Sequence, residues 1–235
     1  MQKLVVLTGA GVSAESGLKT FRDTDGLWEG HRVEEVATPE AWNRNPERVL
    51  DFYNQRRAQL KKANPNLAHI SLAKLEGPFH TIIITQNVDD LHERGGSKNI
   101  IHLHGELFKV RSTANSNLIY EWRVDLTQND KCELGSQLRP HIVWFGEEVP
   151  MLEKAALECS DAQICIIVGT SMQVYPAASL IRYLPRDCKL YYIDPNPHIS
   201  YELGSRKNLE LIKMKATEGV QNLVSRLLRK GKVNE

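Results

Sequence analysis

The strongest constraint on the fold is a series of short apolar runs, rich in Ile and Val, that alternate with longer amphipathic stretches. Such runs are typical of strands buried on both faces of a parallel sheet, and the stretches between them repeat their apolar residues at helical spacing. The runs are Leu4–Leu7, Thr81–Thr85, Ile100–Leu103, His141–Phe145, Ile164–Val168, Leu190–Ile193 and Leu209–Ile212. The helical stretches are Pro46–Ala63, Asn66–Glu76, Pro150–Glu158, Ala177–Leu184 and Glu218–Lys230. This alternation predicts an α/β fold with a doubly wound, Rossmann-like parallel sheet.

Two insertions interrupt the alternation. Residues 8–80 separate the first two strands, far more than the roughly 30 residues of a simple βαβ unit. The second insertion is polar, although Phe108–Arg111 and Leu118–Trp122 could pair as a hairpin across it. We therefore expect a larger Rossmann-like domain from residues 1–30, 77–108 and 137–235 and a smaller domain from residues 31–76 and 109–136.

Composition excludes several classes of function. The 30 Lys and Arg balance 29 Asp and Glu, for a net charge of +1, so no general electrostatic attraction to nucleic acid or to an anionic membrane is expected. No apolar run reaches the roughly 18–20 residues of a membrane span, and the N-terminus does not look like a signal peptide. The four cysteines form no C-x-x-C pair, so we expect free thiols and a cytoplasmic protein. Nothing in the sequence indicates an oligomeric state.

The first strand leads into Gly9-Ala10-Gly11-Val12-Ser13-Ala14, a G-x-G-x-x-A turn. Such a turn lets the backbone and a helix N-terminus approach a phosphate, but the same turn can also join a strand to a helix and bind nothing. A conventional NAD dehydrogenase would carry an Asp or Glu for the ribose at the end of a second strand about 20 residues later. Here the next strand comes much later and ends in Thr85-Gln86-Asn87-Val88-Asp89, which disfavours a dehydrogenase.

Polar residues also follow the second and third strands. Thr85–His92 carries amide, carboxylate and imidazole groups at the edge where open α/β sheets bind ligands, although Asn and Asp there also suit an Asx turn and a helix cap. His102-Leu103-His104-Gly105 places two imidazoles on one strand face. They could bind metal, but no nearby ligand set has a recognised spacing. His104 suits a general base at a strand end, and His102 suits a packed core histidine.

Several segments, taken in order, cover most of the chain and carry a family resemblance. They are Gly9–Arg22 (GAGVSAESGLKTFR), Gly26-Leu27-Trp28, Pro65–Glu76 (PNLAHISLAKLE), Thr85–His92 (TQNVDDLH), His104-Gly105, Leu138–Glu147 (LRPHIVWFGE) and Gly169–Ala178 (GTSMQVYPAA). Together they resemble the sirtuins, which are NAD-dependent protein-lysine deacylases with a Rossmann-like domain and a smaller domain. The resemblance implies that the acyl group of an acylated lysine passes to ADP-ribose, giving nicotinamide and O-acyl-ADP-ribose.

The resemblance assigns roles at the active site. The implied catalytic residues are His104, as the base, with Asn87 and Asp89. Gln86, Asn87 and Asp89 would hold the nicotinamide ribose and the released amide. Asp194 stands where the family usually has Asn beside the adenosine ribose, and Asp can also accept hydrogen bonds from hydroxyls or open a turn before Pro195. The implied NAD-binding residues are Gly9, Ala10, Gly11, Ser13, Ala14, Phe21, Arg22, Trp28, Gln86, Asn87, Asp89, Gly169, Thr170, Ser171, Asp194, Asn196 and Ala216.

Two further segments concern the acylated substrate. Val143-Trp144-Phe145-Gly146 resembles the edge to which an extended acyl-lysine peptide adds as a strand, and it also reads as an ordinary apolar strand. Tyr53 and Arg56 share a helix face and could either hold a terminal carboxylate or be a packed Tyr and a solvated Arg. Their spacing is similar to the bacterial class III (CobB-like) sirtuins, which implies removal of succinyl and malonyl as well as acetyl groups.

The sequence departs from the family at its structural zinc site. Most sirtuins have two C-x-x-C pairs in the small domain, but here the corresponding positions are Ser112, Asn115, Lys131 and Leu134. Cys132 is one position out of register, and one thiolate cannot make a tetrahedral site. We therefore expect no zinc.

Two other functions compatible with NAD binding remain as alternatives. An ADP-ribosyltransferase would use the same NAD site and differ in the destination of the ADP-ribose. A non-catalytic binder of NAD or acylated peptides would not depend on His104 for its biological effect.

Overall fold

The computed structural model describes residues 1–19, 28 and 30–231. The strands are β1 (Lys3–Thr8), β2 (His80–Thr85), β3 (Ile100–His102), β4 (Gly105–Ser112), β5 (Ile119–Glu121), β6 (Leu138–Ile142), β7 (Ile164–Val168), β8 (Lys189–Ile193) and β9 (Leu209–Ile212). The α-helices are α1 (Gly11–Ala14), α2 (Val33–Val36), α3 (Pro39–Arg44), α4 (Pro46–Lys62), α5 (Leu67–Ala73), α6 (Leu91–Arg94), α7 (Leu152–Ser160), α8 (Tyr201–Gly204) and α9 (Ala216–Gly231), and a 3₁₀ helix spans Ala177–Tyr183. The predicted α/β class is confirmed.

The larger sheet has the strand order β3-β2-β1-β7-β8-β9, and its neighbouring strands pair in parallel. The chain first builds outward from β1 to β3 and then restarts at β7 on the other side of β1. This reversal makes a topological switch point between β1 and β7, where open α/β sheets bind ligands beyond the carboxyl ends of their strands. The doubly wound topology predicted from the apolar runs is confirmed.

Both faces of this sheet are buried. Alternate side chains of a strand lie on opposite faces, and in β1 Val5 and Leu7 belong to one apolar cluster whereas Leu4 and Val6 belong to another. The first cluster is completed by α7 and the 3₁₀ helix, and the second by α5 and α9. Continuous Ile and Val runs suit these strands because neither face meets water.

Helix α4 supplies one side of the ligand cleft, and its sequence defines its start. The Asn45 side chain accepts the backbone N–H of Arg48 at 3.0 Å, with Pro46 at the first helical position. One face of α4 buries Val49, Phe52 and Tyr53 in a third apolar cluster, which also contains residues of β4 and of the segment after β6. The helix is therefore held against the small sheet.

The smaller sheet is antiparallel, with the order β5-β4-β6. Pairing of β4 with β5 confirms the hairpin predicted between Phe108–Arg111 and Leu118–Trp122. The run His141–Phe145, however, was wrongly interpreted as part of the parallel sheet, because β6 spans Leu138–Ile142 and pairs with β4. The turn at Gly105 explains this: its φ is +83°, and a Cβ there would lie 2.0 Å from the carbonyl oxygen of His141.

The small sheet includes residues 105–108 and 138–142, which the expected boundaries placed in the larger domain. The domain division stays a prediction. Among the described residues, no helix is both long enough and apolar enough to span a bilayer.

Candidate active site

A cleft of about 480 Å³ lies at the carboxyl ends of β1, β2 and β7. It contains most of the residues that the sequence singled out, from segments far apart along the chain. The predicted residues that line it are Gly9, Ala10, Gly11, Ser13, Trp28, Tyr53, Arg56, Gln86, Asn87, Asp89, His104, Val143, Trp144, Phe145, Gly146, Gly169, Thr170, Ser171 and Asp194. The cleft therefore coincides with the switch point of the sheet.

Three predicted residues with described positions do not line this cleft. Ala14 is exposed in α1, Asn196 is exposed after β8, and Ala216 is buried at the start of α9. Phe21 and Arg22 lie outside the described residues. The role of these residues in NAD binding stays a prediction.

The loops after β1 and β7 meet through glycines. A Cβ on Gly11 would lie 2.7 Å from the Cα of Gly169, and a Cβ on Gly169, whose φ is +65°, would lie 2.1 Å from the backbone nitrogen of Val12. The N–H of Gly11 donates to the carbonyl of Gly169 at 2.8 Å. Glycine is required at these two positions because backbone packs directly on backbone.

Ser13 connects the polar residues that follow β1 and β2. Its hydroxyl donates to Oδ2 of Asp89 at 2.9 Å and accepts the side-chain amide of Asn87 at 3.1 Å. The Asx-turn interpretation also holds here, since Oδ1 of Asp89 accepts the backbone N–H of Leu91 two residues later. The N-cap residue of α6 is Asp90, and its side chain makes no capping bond. Asp89 can therefore stabilise the local turn with one carboxylate oxygen and contribute to the cleft with the other.

Burial raises the pKa of Asp89 to about 6. The N–H of Leu91, the hydroxyl of Ser13 and the charge of His102 each lower the pKa of Asp89, but they do not offset the burial. A carboxyl group with a pKa near the working pH can both accept hydrogen bonds as a carboxylate and change its charge state.

His69 lies behind Ser13, and the sequence did not identify it as part of the site. Its Nδ1 accepts the backbone N–H of Asn66 at 3.3 Å, so Nε2 carries the proton that faces the Ser13 hydroxyl at 3.4 Å. Burial lowers the pKa of His69 to about 4, which keeps the ring neutral. The three-residue spacing of a capping box, from Asn66 to His69, is the signal that could have found it.

His104 is held as a neutral ring with a defined tautomer. A carbonyl can only accept, so Nδ1 of His104 donates to the carbonyl of Gln86 at 3.0 Å and Nε2 is left without the proton. Burial lowers the pKa of His104, and the bond to Gln86 opposes this only in part. An unprotonated imidazole nitrogen in a cleft is suited to act as a general base.

His102 differs from the packed core histidine that the sequence favoured. Its Nε2 lies 2.7 Å from Oε1 of Glu93, and its Nδ1 lies 3.1 Å from the carbonyl of Asn87. Burial opposes the charge on His102, but the bond to Glu93 and the Glu93 charge raise its pKa overall. The pKa of His102 is therefore raised, whereas the pKa of His104 is lowered.

Gln86 and Asp194 lie on either side of the switch point. The Gln86 side-chain amide donates to the Thr170 hydroxyl at 3.0 Å, which ties the end of β2 to the loop after β7. Asp194 lines the cleft, and its Oδ1 accepts the backbone N–H of Asn196 at 2.8 Å. The turn-opening role considered for Asp194 is thus present alongside its position in the cleft.

On the opposite side, α4 contributes Tyr53 and Arg56. Tyr53 is fully buried, and its hydroxyl oxygen accepts the indole N–H of Trp144 at 3.0 Å. Burial also raises the pKa of Tyr53, so the phenol keeps its proton. The guanidinium carbon of Arg56 lies 5.0 Å from the ring centroid of Phe52. Tyr53 is therefore packed, as one interpretation of the sequence expected, and it also lines the cleft.

Trp144 is itself held by an ion pair that the sequence did not reveal. The guanidinium carbon of Arg139 lies 3.3 Å from the centroid of the Trp144 ring, and Arg139 bonds both carboxylate oxygens of Glu147 at 2.6 and 3.1 Å. Glu147 also accepts the backbone N–H of Trp144 at 2.8 Å. Next to it, Phe145 is 46% exposed at the rim of the cleft.

The positions that correspond to the family's zinc cysteines lie in the small sheet and the loop before β6. There the thiol of Cys132 is 3.1 Å from the Ser112 hydroxyl and is buried. Asp130 accepts the N–H and the hydroxyl of Thr127 in the same loop. The expectation of no zinc stays a prediction.

Comparison with known proteins gives consistent matches. The model of the Sir2 family matches residues 9–176. The NAD-dependent protein deacylase of Helicobacter pylori (strain ATCC 700392 / 26695) is 54% identical over 231 residues, which is 97% of this chain and 98% of the relative. A solved Sir2 homolog–NAD complex superposes with a TM-score of 0.86 at 43% identity, over 97% of this chain and 90% of that one. A Sir2–p53 peptide–NAD⁺ structure gives a TM-score of 0.77 at 30% identity, over 98% of this chain and 94% of that one. The chain belongs to the Sir2 family.

Proposed function

We propose that the protein is an NAD-dependent protein-lysine deacylase that removes succinyl and malonyl groups as well as acetyl groups. The observation that carries the reaction is the convergence of Ser13, Asn87, Asp89 and His104 at the switch point of a Sir2-family sheet. The deacylase name of the Helicobacter pylori relative supports the same reaction. The products would be nicotinamide, the free lysine and O-acyl-ADP-ribose.

The cleft fits NAD. Gly9, Gly11 and Gly169 line the cleft without side chains, as the glycines of a G-x-G turn do where a dinucleotide's pyrophosphate approaches the backbone. Asn87 and Asp89 would hold the nicotinamide ribose. NAD would supply a ribose carbon activated by its bond to nicotinamide, and nicotinamide would be the leaving group when the acyl-lysine oxygen bonds to that carbon. The Sir2 homolog–NAD complex supports this assignment.

The protein's own part in the chemistry is to move one proton and to hold the reacting groups. His104, neutral and bonded through Nδ1 to Gln86, would accept a hydroxyl proton at Nε2. Ser13 would keep the carboxylate of Asp89 and the amide of Asn87 in fixed positions. Because these groups are already bonded to one another, little reorganisation is needed when substrates bind.

The preference for acidic acyl groups rests on Tyr53 and Arg56. Since the hydroxyl oxygen of Tyr53 already accepts the Trp144 N–H, its own proton is available to donate to a terminal carboxylate. Arg56 lines the same part of the cleft and would add a charge-assisted bond. The neighbouring lining residues Ala37, Leu60 and Leu107 are apolar, so these bonds would form in a low dielectric.

The substrate would be an acylated lysine in an extended segment of a protein. Val143–Gly146 line the cleft directly after β6, and an extended peptide would add its backbone along this segment. The peptide in the related Sir2–p53 structure supports a protein substrate.

The test follows nicotinamide release and peptide mass when purified protein and NAD are mixed with succinyl-, malonyl- or acetyl-lysine forms of one peptide. We expect all three to be deacylated, with the acidic acyl groups preferred. Arg56→Met should lower succinyl and malonyl turnover about 10–100-fold, the value of a charge-assisted bond of roughly 1.5–3 kcal/mol, and spare much of the deacetylation.

The matched control is Arg48→Met, since Arg48 lies on the same helix, is exposed and pairs with Glu35 outside the cleft. It should leave all three rates unchanged. Equal loss for all acyl groups in Arg56→Met would refute the specificity assignment. NAD consumption that leaves the peptide acylated and puts ADP-ribose on protein would instead identify a transferase.

A further inference from the structure

The end of β3 and the turn that follows it hold two consecutive carbonyls of the loop after β2. His104 donates from Nδ1 to the carbonyl of Gln86 at 3.0 Å, and His102 donates from Nδ1 to the carbonyl of Asn87 at 3.1 Å. The two histidines therefore fix adjacent peptide groups of the same loop. Of these two histidines, only His104 lines the cleft, so a role for His102 has to be indirect.

Asn87 is restrained at three points, and His102 provides one of them. Its backbone N–H donates to the Thr85 hydroxyl at 3.0 Å, and its side-chain amide donates to the Ser13 hydroxyl at 3.1 Å. Its carbonyl accepts from His102. Rotation of the peptide group after Asn87 would move both the Asn87 amide and the segment that carries Asp89.

Glu93 determines the state of His102. Both ring nitrogens face acceptors, the Asn87 carbonyl and the Glu93 carboxylate at 2.7 Å, and only the imidazolium can donate to both. The His102 side chain is 9% exposed and is therefore shielded from water, whereas the Glu93 side chain is 40% exposed and pairs with it from the solvent side. Glu106 also lies within 4.8 Å of His102 and raises its pKa, but Glu106 bonds Lys109 at 2.7 Å, whereas Glu93 bonds the imidazole directly.

We propose that Glu93 and His102 form a positioning pair for the deacylation, in which the charged imidazole fixes the Asn87 carbonyl and supplies a positive charge that acts on the Asp89 carboxylate. This role rests on the proposed function, because it acts through Asn87 and Asp89 on bound NAD. The surrounding charged and titratable groups are Glu93 and His92 on α6, Glu106 and Lys109 on β4, and Asp89 and Asp90 between β2 and α6.

Loss of the His102 charge should shift the pH dependence of the activity in one direction, which can be measured. The charge of His102 lowers the pKa of Asp89, which burial has raised to about 6. Without that charge Asp89 would hold its proton to higher pH, and the carboxylate that binds ribose would be present only in a more alkaline range. The acidic limb of the pH profile should therefore move upward.

The test compares His102→Gln and Glu93→Gln with the parent enzyme in nicotinamide release from pH 5.5 to 9. We expect kcat/KM for NAD to fall about tenfold or more, KM for the acyl peptide to change little, and the acidic limb to rise by at least about half a pH unit. Glu93→Asp keeps the carboxylate and should restore most of the activity. His80→Gln and Glu153→Gln, both exposed and neither lining the cleft, are the matched controls.

Parent-like values of kcat/KM and pH profile in both Gln variants would overturn the proposal. So would equal losses for NAD and peptide with an unmoved acidic limb, which indicate a purely structural role. Calorimetric titration with NAD gives a readout that needs no turnover: weaker binding in His102→Gln, most marked at low pH, supports the pair, and unchanged binding contradicts it. An inactive parent would refute the proposed function alone.

Discussion

The two walls of the cleft are held in different ways. The sheet-edge wall, formed by Ser13, Gln86, Asn87, Asp89 and His104, is bonded within itself at the ends of adjacent strands. The α4 wall, formed by Tyr53, Arg56 and Trp144, depends on the ion pair of Arg139 and Glu147, which lies behind Trp144. The first wall follows from sheet topology, whereas the second depends on pairs that only the tertiary fold creates. Changes in the first should affect every acyl group, and changes in the second should alter the preference among them.

The largest expected effect is at the sheet-edge wall. His104→Ala should lower turnover of succinyl-, malonyl- and acetyl-lysine peptides alike by about 10²–10⁴-fold, the contribution of a general base, with NAD still bound. Steady-state nicotinamide release and NAD titration measure the two quantities. The control is His80→Ala, an exposed residue at the other end of β2. Loss for only one acyl group would contradict the division between the walls.

Asp89, in the sheet-edge wall, should also lower the free energy of unfolding in a pH-dependent way. Burial raises the pKa of Asp89 to about 6 in the folded protein, against about 3.9 in an unfolded chain. Because the folded state binds this proton more tightly, Asp89 costs stability progressively as pH rises from about 4 to about 6 and fully above that. The shift corresponds to roughly 3 kcal/mol.

Denaturant unfolding of the parent and Asp89→Asn between pH 4 and 8 measures this cost. The free energy of unfolding of the variant minus that of the parent should increase by up to about 3 kcal/mol across the range. A difference that stays constant with pH would show that the pKa of Asp89 is the same in the folded and the unfolded protein, which would contradict the prediction.

The next largest effect is expected from breaking the ion pair of Arg139 and Glu147, which supports the α4 wall. Arg139→Met removes the cation from the Trp144 ring and the shorter of the two arginine contacts of Glu147, which keeps Arg111 at 3.3 Å. We expect a loss of about 2 kcal/mol in the free energy of unfolding, reduced from the value of a fully buried pair by residual exposure. Acidic-acyl preference should fall with it. Arg182→Met, in an exposed pair with Glu202, should change neither property.

The smallest expected effect isolates one hydrogen bond. Trp144→Phe removes the indole N–H that the Tyr53 hydroxyl accepts but keeps an aromatic ring. The KM for succinyl peptide should rise severalfold, consistent with about 1 kcal/mol, and the KM for acetyl peptide should change less. Equal changes in both KM values would mean that Trp144 shapes the cleft and does not orient Tyr53.

The same contrast explains which parts of the molecule the sequence could predict. Thr81–Thr85 and Ile164–Val168 were recognisable as parallel strands because both faces are buried, and residues that follow such strands meet at one edge. The run His141–Phe145 looked similar, but its partner β4 was determined by the turn at Gly105, a feature that apolar patterning does not contain.

The contacts that support the site were harder to predict. The Ser13–His69 and Tyr53–Trp144 hydrogen bonds join residues 56 and 91 positions apart, and no periodicity relates such distant positions. Arg139 and Glu147 are closer in sequence, but their pairing depends on the turn after β6 that brings Glu147 back to the N–H of Trp144. Local patterns predicted the residues of the cleft, whereas tertiary packing determines how they are held.

The most direct test of the account is a competition between succinyl- and acetyl-lysine forms of one peptide, mixed in equal amounts with NAD and followed by mass spectrometry. The parent should deacylate both and favour the succinyl form, with one nicotinamide released per lysine freed. Arg56→Met should reverse the preference, and His104→Ala should abolish both reactions. An unchanged ratio in Arg56→Met, or lysine freed without release of nicotinamide, would contradict the account.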